Sequence, residues 1–466
     1  MKKFAHSTAR LLCVWVVMVA DFSGVAAAQA PTLSAQVRTF VAVDAPVVAL
    51  TNVRLVDGTG ARPADDQTIV ISDGLIKFVG PSSTTSIPDS AQIVAFAGHT
   101  VIPGLVGMHD HVGFGGERNF RQDLRLYLGA GVTTIRTAGT WEPYRDINLK
   151  REIDQGRYPG PKIHVTSPYV TGLGARNLRM AQVADPAEAR RFVDYWADVG
   201  VKWIKAYSEI QRAELAAIID RAHARGLRVT GHLCAVTARA AAELGIDNIE
   251  HGPLSSDFNP DKRADECPRG IFLFDPASAT VTATVQTLVQ KRVAITATFA
   301  EAEYQEPGRA ATDARIFDFM SPGATEAYRD ARAQFDAHMS GNFGRRSAVI
   351  RQFLAAGGLL VTGIDPVFPG LMPGFADQRN YELLLAEGVD AGAAIRIMTA
   401  NGAQVLGEEA RIGTIEPGKA ADLVIISGDI VRAPKAIRNV VFVFKDGVGY
   451  DSGKLLQSVR QEMAHR

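Results

Sequence analysis

The chain has 466 residues, 47% of them hydrophobic and 21% charged, with 50 Lys and Arg against 50 Asp and Glu and a formal net charge of zero. That balance gives no reason to expect nucleic acid or an anionic membrane as a partner. The length leaves room for a large core and a smaller second domain.

Residues 1–30 differ in kind from the rest. Lys2, Lys3 and Arg10 precede an apolar run at 11–20, and Ala28-Gln29-Ala30 has the small-residue pattern of a cleavage site. This reads as a secretory signal peptide. An uncleaved anchor is the rival, disfavoured because the run is short for a bilayer. The mature chain is therefore expected to be exported, periplasmic or secreted, with no membrane contact after cleavage. Cys13 leaves with the signal, whereas Cys234 and Cys267 remain. In an oxidising compartment they are free to pair, a question that spacing alone leaves open.

Residues 31–46 read as an extended leader. From 47 to 100 the text becomes short alternating strands, with Asp73-Gly74 as a hairpin turn, and 412–466 returns to it with Asp446-Gly447. Two separate modules of about fifty residues would each be marginal, so both ends are expected to build one composite β-sandwich domain.

Between them, 101–411 alternates strand and helix. Strands are predicted at 105–109, 132–137, 162–166, 201–206, 228–232, 248–251, 292–298 and 359–365. Helices fall between most of them, one starting at Asp185-Pro186 and another ending at Gly226. This is the pattern of an α/β (β/α)8 TIM barrel. A doubly wound open sheet is the rival. It would carry a Gly-rich phosphate loop after the first strand, and it would not gather the ends of strands one, four, five, six and eight. The mixed segment 255–346 is expected to cap the barrel mouth and shape the substrate pocket.

Those strand ends carry the chemistry. In VIPGLVGMHDHV, His109 and His111 are at i and i+2, hence on one face of a strand. Two imidazoles so placed suit a borderline-soft cation such as zinc. In GVKWIKAYSE, Lys205 shares its parity with Val201 and Trp203. A lysine buried there loses proton affinity, and its neutral amine can take up carbon dioxide as a carbamate able to bridge two ions. Lys202 is the competing lysine. His232 ends LRVTGH, His251 ends GIDNIEH, and Asp365 ends LLVTGID, where a carboxylate can touch a metal and accept a proton. For substrate contacts the candidates are Tyr207, Arg136 and His164, with Tyr304, Arg309, Tyr328 and His338 from the long segment after strand six.

Taken together, PGLVGMHDH, VKWIKAY, GHLCA, GIDNIEHG, TGID and RIGTIEPGKAADLVI resemble signatures of the amidohydrolase superfamily, in its imidazolonepropionase-like and prolidase-like branch. The resemblance covers 47–451. It implies two divalent ions, zinc by default, with manganese, cobalt and iron left open. His109, His111 and Asp365 would hold one ion, His232 and His251 the other, and N6-carboxylated Lys205 would bridge them. It further implies hydrolysis of an amide C–N bond in a dipeptide, N-acyl amino acid or aryl amide, by a metal-bridging hydroxide with Asp365 as general base and acid. A lactonase, phosphotriesterase or cyclic-amide hydrolase would use the same residues, and a non-catalytic exported binding protein is the reading from another class. Relatives of this kind also imply a homo-oligomer. Two positions depart from the pattern. Gly107 stands where an acidic residue is common, and Thr137 stands where an aspartate often follows the arginine of strand two.

Overall fold

The computed structural model describes residues 1, 32–114, 118–175, 177–268, 270, 272–309, 313–338 and 342–464. The expected signal peptide and Cys13 lie outside the described residues. Two Asp-Gly pairs set the register of a nine-stranded sheet drawn from both ends of the chain. Asp73 and Gly74 have φ of 52° and 75°, and Asp446 and Gly447 have 50° and 81°. Both central residues are thus left-handed, the twist that lets a two-residue loop join antiparallel strands.

In spatial order the sheet runs Val41–Val43, Val448–Asp451, Val440–Lys445, Leu423–Ser427, His99–Pro103, Val47–Leu55, Ala64–Ser72 and Leu75–Pro81, with Gln92–Ala95 also paired to Val47–Leu55. Leu423–Ser427 and His99–Pro103 are antiparallel neighbours, which is where the two ends of the chain meet. Val48, Leu50, Ile69 and Ile76 from one end pack with Leu423, Ile425 and Phe444 from the other in a wholly buried cluster.

The stretch 31–46 is not an extended leader throughout. Ser34 caps the short helix Ala35–Arg38 by accepting from Val37 N, and Val41–Val43 pairs with Val448–Asp451. Val37 and Phe40 supply the reason, because they are buried against Tyr450 and Leu455.

Two parallel sheets follow. One contains Leu105–Asp110, Val132–Thr137 and Lys162–His164; the other runs Ala181–Val183, Thr166–Gly172, Trp203–Ala206, Arg228–Gly231, Asn248–Glu250, Ala294–Ala297 and Leu360–Thr362. The predicted third strand is therefore divided at Val165 between the two sheets. Their outer strands approach each other. Ile364 and Asp365 donate their N–H groups to His109 O at 3.1 and 2.9 Å. A Cβ on Gly363 would lie 2.3 Å from His109 N, so only glycine lets these backbones come so close. At the other junction Thr166 N donates to Thr137 Oγ1 at 2.9 Å.

Helices separate the strands as the sequence leads one to expect. Asp185 caps Pro186–Val199 by accepting from Ala187 N and Glu188 N, and Gly200 ends it at φ 104°. The segment 255–346 contains the strand Ala294–Ala297 as well as the helices Ala279–Gln290, Phe299–Tyr304 and Pro322–His338. Cys234 and Cys267 form a disulfide with a Cα–Cα distance of 5.0 Å. Pro31–Arg466 is one compact unit. Among the described residues no helix is long and apolar enough to cross a membrane.

Candidate metal centre

Several strands are shorter than predicted, and this places the site. His111, His232 and His251 each directly follow the last residue of a strand, and Asp365 lies beyond the strand Leu360–Thr362 rather than ending it. His251 and Asp365 have φ of 64° and 43°. Non-glycine residues tolerate that region only where surrounding contacts hold them, and such residues gather at functional sites. Here His251 N donates to Thr296 O at 2.8 Å and Asp365 N to His109 O at 2.9 Å.

The side chains converge on the Asp365 carboxylate. His111 Nε2 is 3.3 Å and His109 Nε2 3.5 Å from Oδ1, and His251 Nε2 is 3.7 Å from Oδ2. One ligand atom each from His109, His251 and Asp365 lies within 4.8 Å of the others. The His232 ring centroid is 4.7 Å from that of His251. Lys205 Nζ points into the same region, buried and 3.6 Å from Glu250 Oε1. The competing Lys202 is exposed.

Burial sets the charges. It lowers Lys205 to about 8, against the pull of Glu250. It lowers His232 to about 3, with Lys205 adding to the effect. Burial alone would raise Asp365, but His109 and His111 hold it well below the usual carboxylate range. Burial also lowers His111 and His251, whereas in His109 the pull of Glu250 and Asp365 outweighs burial and raises the imidazole. The result is one anion, three imidazoles kept neutral, a fourth beside two carboxylates and an amine close to losing its proton, a donor set suited to divalent cations.

Two buried atoms of this set, Lys205 Nζ and His251 Nε2, have no hydrogen-bond partner. Unsatisfied buried donors and acceptors are uncommon and call for a reason. A cation drawing on His251 Nε2 and on a carboxylated Lys205 gives both a partner, so the residues fit the group.

The supporting shell was not legible from the strand-end pattern. Glu250 accepts from Arg136 Nη2 at 2.6 Å and from Thr230 Oγ1 at 2.5 Å, and it meets His109 Nδ1 at 2.8 Å. Burial would raise this carboxyl, yet Arg136, Lys205 and His109 hold it well below the usual range. An ionised acceptor keeps the His109 proton on Nδ1 and turns the Nε2 lone pair toward the centre. His251 is held likewise: Nδ1 lies 2.8 Å from Thr298 Oγ1, which donates to Glu301 Oε2 at 3.1 Å. The signal for Glu250 was its place beside His251 in DNIEH, and for Thr298 its place at the end of strand seven.

Arg136, a candidate substrate contact, is turned into the interior. It is fully buried, donating to Asn248 Oδ1 at 3.1 Å and to the Met108 carbonyl besides Glu250, and its guanidinium lies 4.6 Å over the Trp203 ring. Removing one partner of such a pair strands the other charge in the interior. Arg136→Met is therefore expected to destabilise the chain by about 3–5 kcal/mol, read from denaturant unfolding. A loss below about 1 kcal/mol would mean that Glu250 is held by its other partners alone.

Gly107 also finds its reason here. A Cβ at this position would meet Asp110 Oδ2 at 1.7 Å. The buried Asp110 carboxylate occupies that space and accepts from Ile364 N at 3.3 Å.

Of the proposed substrate contacts, Tyr207 stays at the centre, stacked on His232 at 4.8 Å and set edge-on to Tyr169 at 5.3 Å. Phe114 stacks on His111 at 4.4 Å, and Trp141 meets Tyr169 at 4.5 Å. His164 is elsewhere, 3.9 Å from Glu408 and lowered to about 4 by burial. Tyr304, Arg309 and Tyr328 line a different cleft, of about 510 Å³ with its mouth included, together with Gly370 and Phe375. His338 ends the helix Pro322–His338, and its side chain lies outside the described residues. The opening beside the centre is a cleft of about 860 Å³, mouth included, lined by His232, Ser208, Ser256, Asn342 and Arg346.

Comparison with known proteins gives a family match and structural neighbours. The profile of the amidohydrolase family matches residues 100–449. An imidazolonepropionase of Rhizobium rhizogenes is 41% identical over 81 residues, which is 17% of this chain and 20% of that relative. The chain spans at most about half the length of the curated relatives it matches. Among solved structures, a candidate prolidase from Bifidobacterium longum superposes with a TM-score of 0.65 at 25% identity, over 89% of this chain and 99% of that one. A bottromycin amidohydrolase superposes with a TM-score of 0.69 at 21% identity, over 94% and 95%; it shares the fold.

Proposed function

The chain belongs to the amidohydrolase family, and on that premise we propose that it is an exported, metal-dependent hydrolase of an amide C–N bond in a dipeptide, N-acyl amino acid or aryl amide. The observation that carries this is the convergence of His109, His111 and His251 on Asp365, with the unpartnered Lys205 amine buried beside them. The relatives named as an imidazolonepropionase, a candidate prolidase and an amidohydrolase support the same bond class.

In this reading the two parallel sheets are one closed (β/α)8 barrel, supported by the hydrogen bonds at both junctions, and the nine-stranded sheet is a small β-sandwich domain beside it. Export is supported by the basic, apolar and small-residue succession at 1–30 and by the Cys234–Cys267 disulfide, since such bonds persist in oxidising compartments. A homo-oligomer belongs to the same reading.

His109, His111 and Asp365 would hold one divalent ion, His232 and His251 the second, with carboxylated Lys205 between them and zinc the first choice. When bound, the ions supply Lewis acidity that polarises the scissile carbonyl and acidifies water. The chain's own part is positioning and proton transfer. Glu250 and Thr298 fix the rings of His109 and His251, so that neither imidazole must reorganise during turnover. Asp365, ionised at neutral pH, takes the proton of the attacking water and delivers it to the leaving nitrogen as the C–N bond breaks. Tyr207, Tyr169, Trp141 and Phe114 form an apolar wall beside the reacting group.

Protein stripped with a strong chelator is expected to lose hydrolysis of a panel of dipeptides and N-acyl amino acids and to regain it with zinc, manganese or cobalt. Hydrolysis that survives complete stripping would sink the reading. Turnover confined to lactones, phosphotriesters or cyclic amides would keep the centre and change the bond.

A further inference from the structure

The helix Phe343–Ala355 carries Arg346 into the wall of the 860 Å³ cleft that His232 also lines. Its guanidinium is poorly used there. Nη1 and Nη2 reach a single oxygen, Glu301 Oε2, at 3.4 and 3.5 Å, both at the long limit for a charge-assisted hydrogen bond. A guanidinium has five N–H donors in a fixed fork, and the two contacts to one oxygen leave its pairing with a carboxylate incomplete.

The same wall holds two further polar atoms, Ser256 Oγ and Asn342 Oδ1, that are buried without a hydrogen-bond partner among the described residues. Of the acids nearby, Glu301 also accepts from Thr298 Oγ1, and Glu306 accepts from Phe343 N at 2.9 Å. A cation with spare donors, a hydroxyl and an amide oxygen thus line a cleft that opens beside the centre. That combination matches a ligand with a carboxylate flanked by a polar backbone.

We propose that Arg346 binds the free carboxylate of the substrate, so that the preferred substrates are N-acyl amino acids or dipeptides whose leaving amino acid keeps its carboxylate. The proposal rests on the reading of the centre as an amidase site and names the substrate class of that site. It also gives a role to the chain Arg346–Glu301–Thr298–His251. A carboxylate on Arg346 would stand one acid and one hydroxyl along this chain from a histidine of the centre. Neutral amides of the same size lack this anchor.

The test uses the full-length, metal-loaded protein and two matched substrates, an N-acyl amino acid and its carboxamide, which differ in charge and hardly in size. The wild type is expected to show a KM for the acid roughly 10- to 100-fold below that for the carboxamide, the range of a charge-assisted pair. Arg346→Met should abolish the difference by raising the acid's KM alone, and Arg346→Lys should keep part of it. The comparison is a ratio within each variant, so a partly folded preparation does not imitate the result. Equal KM for both substrates in the wild type overturns the proposal, as does an Arg346→Met that harms both substrates alike, which would leave Arg346 as the counter-ion of Glu301. A wild type that cleaves neither member of such pairs, taken across N-acyl amino acids and dipeptides, overturns the proposal, and the amidase reading then rests on the aryl amides.

Discussion

Asp365→Asn is expected to lower kcat by about 10²- to 10⁴-fold, the range of general acid–base catalysis, while metal content stays close to that of the wild type. The substitution is nearly isosteric and leaves an amide oxygen where Oδ1 now faces His109 and His111 at 3.5 and 3.3 Å. The lost property is basicity. An amide cannot take a proton from water near neutral pH or return it to the leaving nitrogen. Asp365 is suited to the task because it is ionised and only 14% of its side chain is exposed, so the proton it accepts is shielded from bulk exchange. Steady-state kinetics with elemental analysis on the same preparation separates this from a structural effect. Full turnover by Asp365→Asn would remove Asp365 from the proton-transfer role, and loss of both metal and turnover would make it a ligand alone.

Lys205→Ala is expected to reduce bound metal and turnover together, with folding largely kept. The amine is fully buried, lowered to about 8, and its nitrogen has no hydrogen-bond partner. Such a group contributes little to stability as an ammonium, since burial opposes its charge and Glu250, 3.6 Å away, already pairs with Arg136 and His109. Carboxylation converts it into an anion with two oxygens, which is what a pair of cations needs between them. Metal-free wild type reloaded without bicarbonate should accordingly regain less activity than protein reloaded with it. A Lys205→Ala chain with unchanged metal and kcat would restrict the lysine to a packing role.

Much of this centre could be read from the sequence because it follows a strand-and-parity rule. Strand ends were marked by apolar runs, and His109, His111, Lys205, His232, His251 and Asp365 lie where those runs stop. The candidate substrate contacts obeyed no such rule. Arg136 sits at a strand end like the others, but its guanidinium turns inward to Glu250 and the Met108 carbonyl, an orientation decided by a partner distant in sequence. Tyr304 and His164 are ordinary residue types whose neighbours, Phe368 and Glu408, come from remote segments. Glu250 and Thr298 stayed hidden because an acid beside a histidine, or a threonine after a strand, is common in any chain. The edge pairing of Val41–Val43 was likewise invisible, since its partner Val448–Asp451 lies at the far end of the chain.

The claim that His109, His111, Lys205, His232, His251 and Asp365 form one binuclear hydrolytic centre is tested most directly by elemental analysis of metal per chain, on protein whose amide-hydrolysing activity is measured in the same sample. About two divalent ions per chain are expected, with activity rising in step as stripped protein is reloaded to that level. Full activity at one ion per chain, or with none, would contradict it.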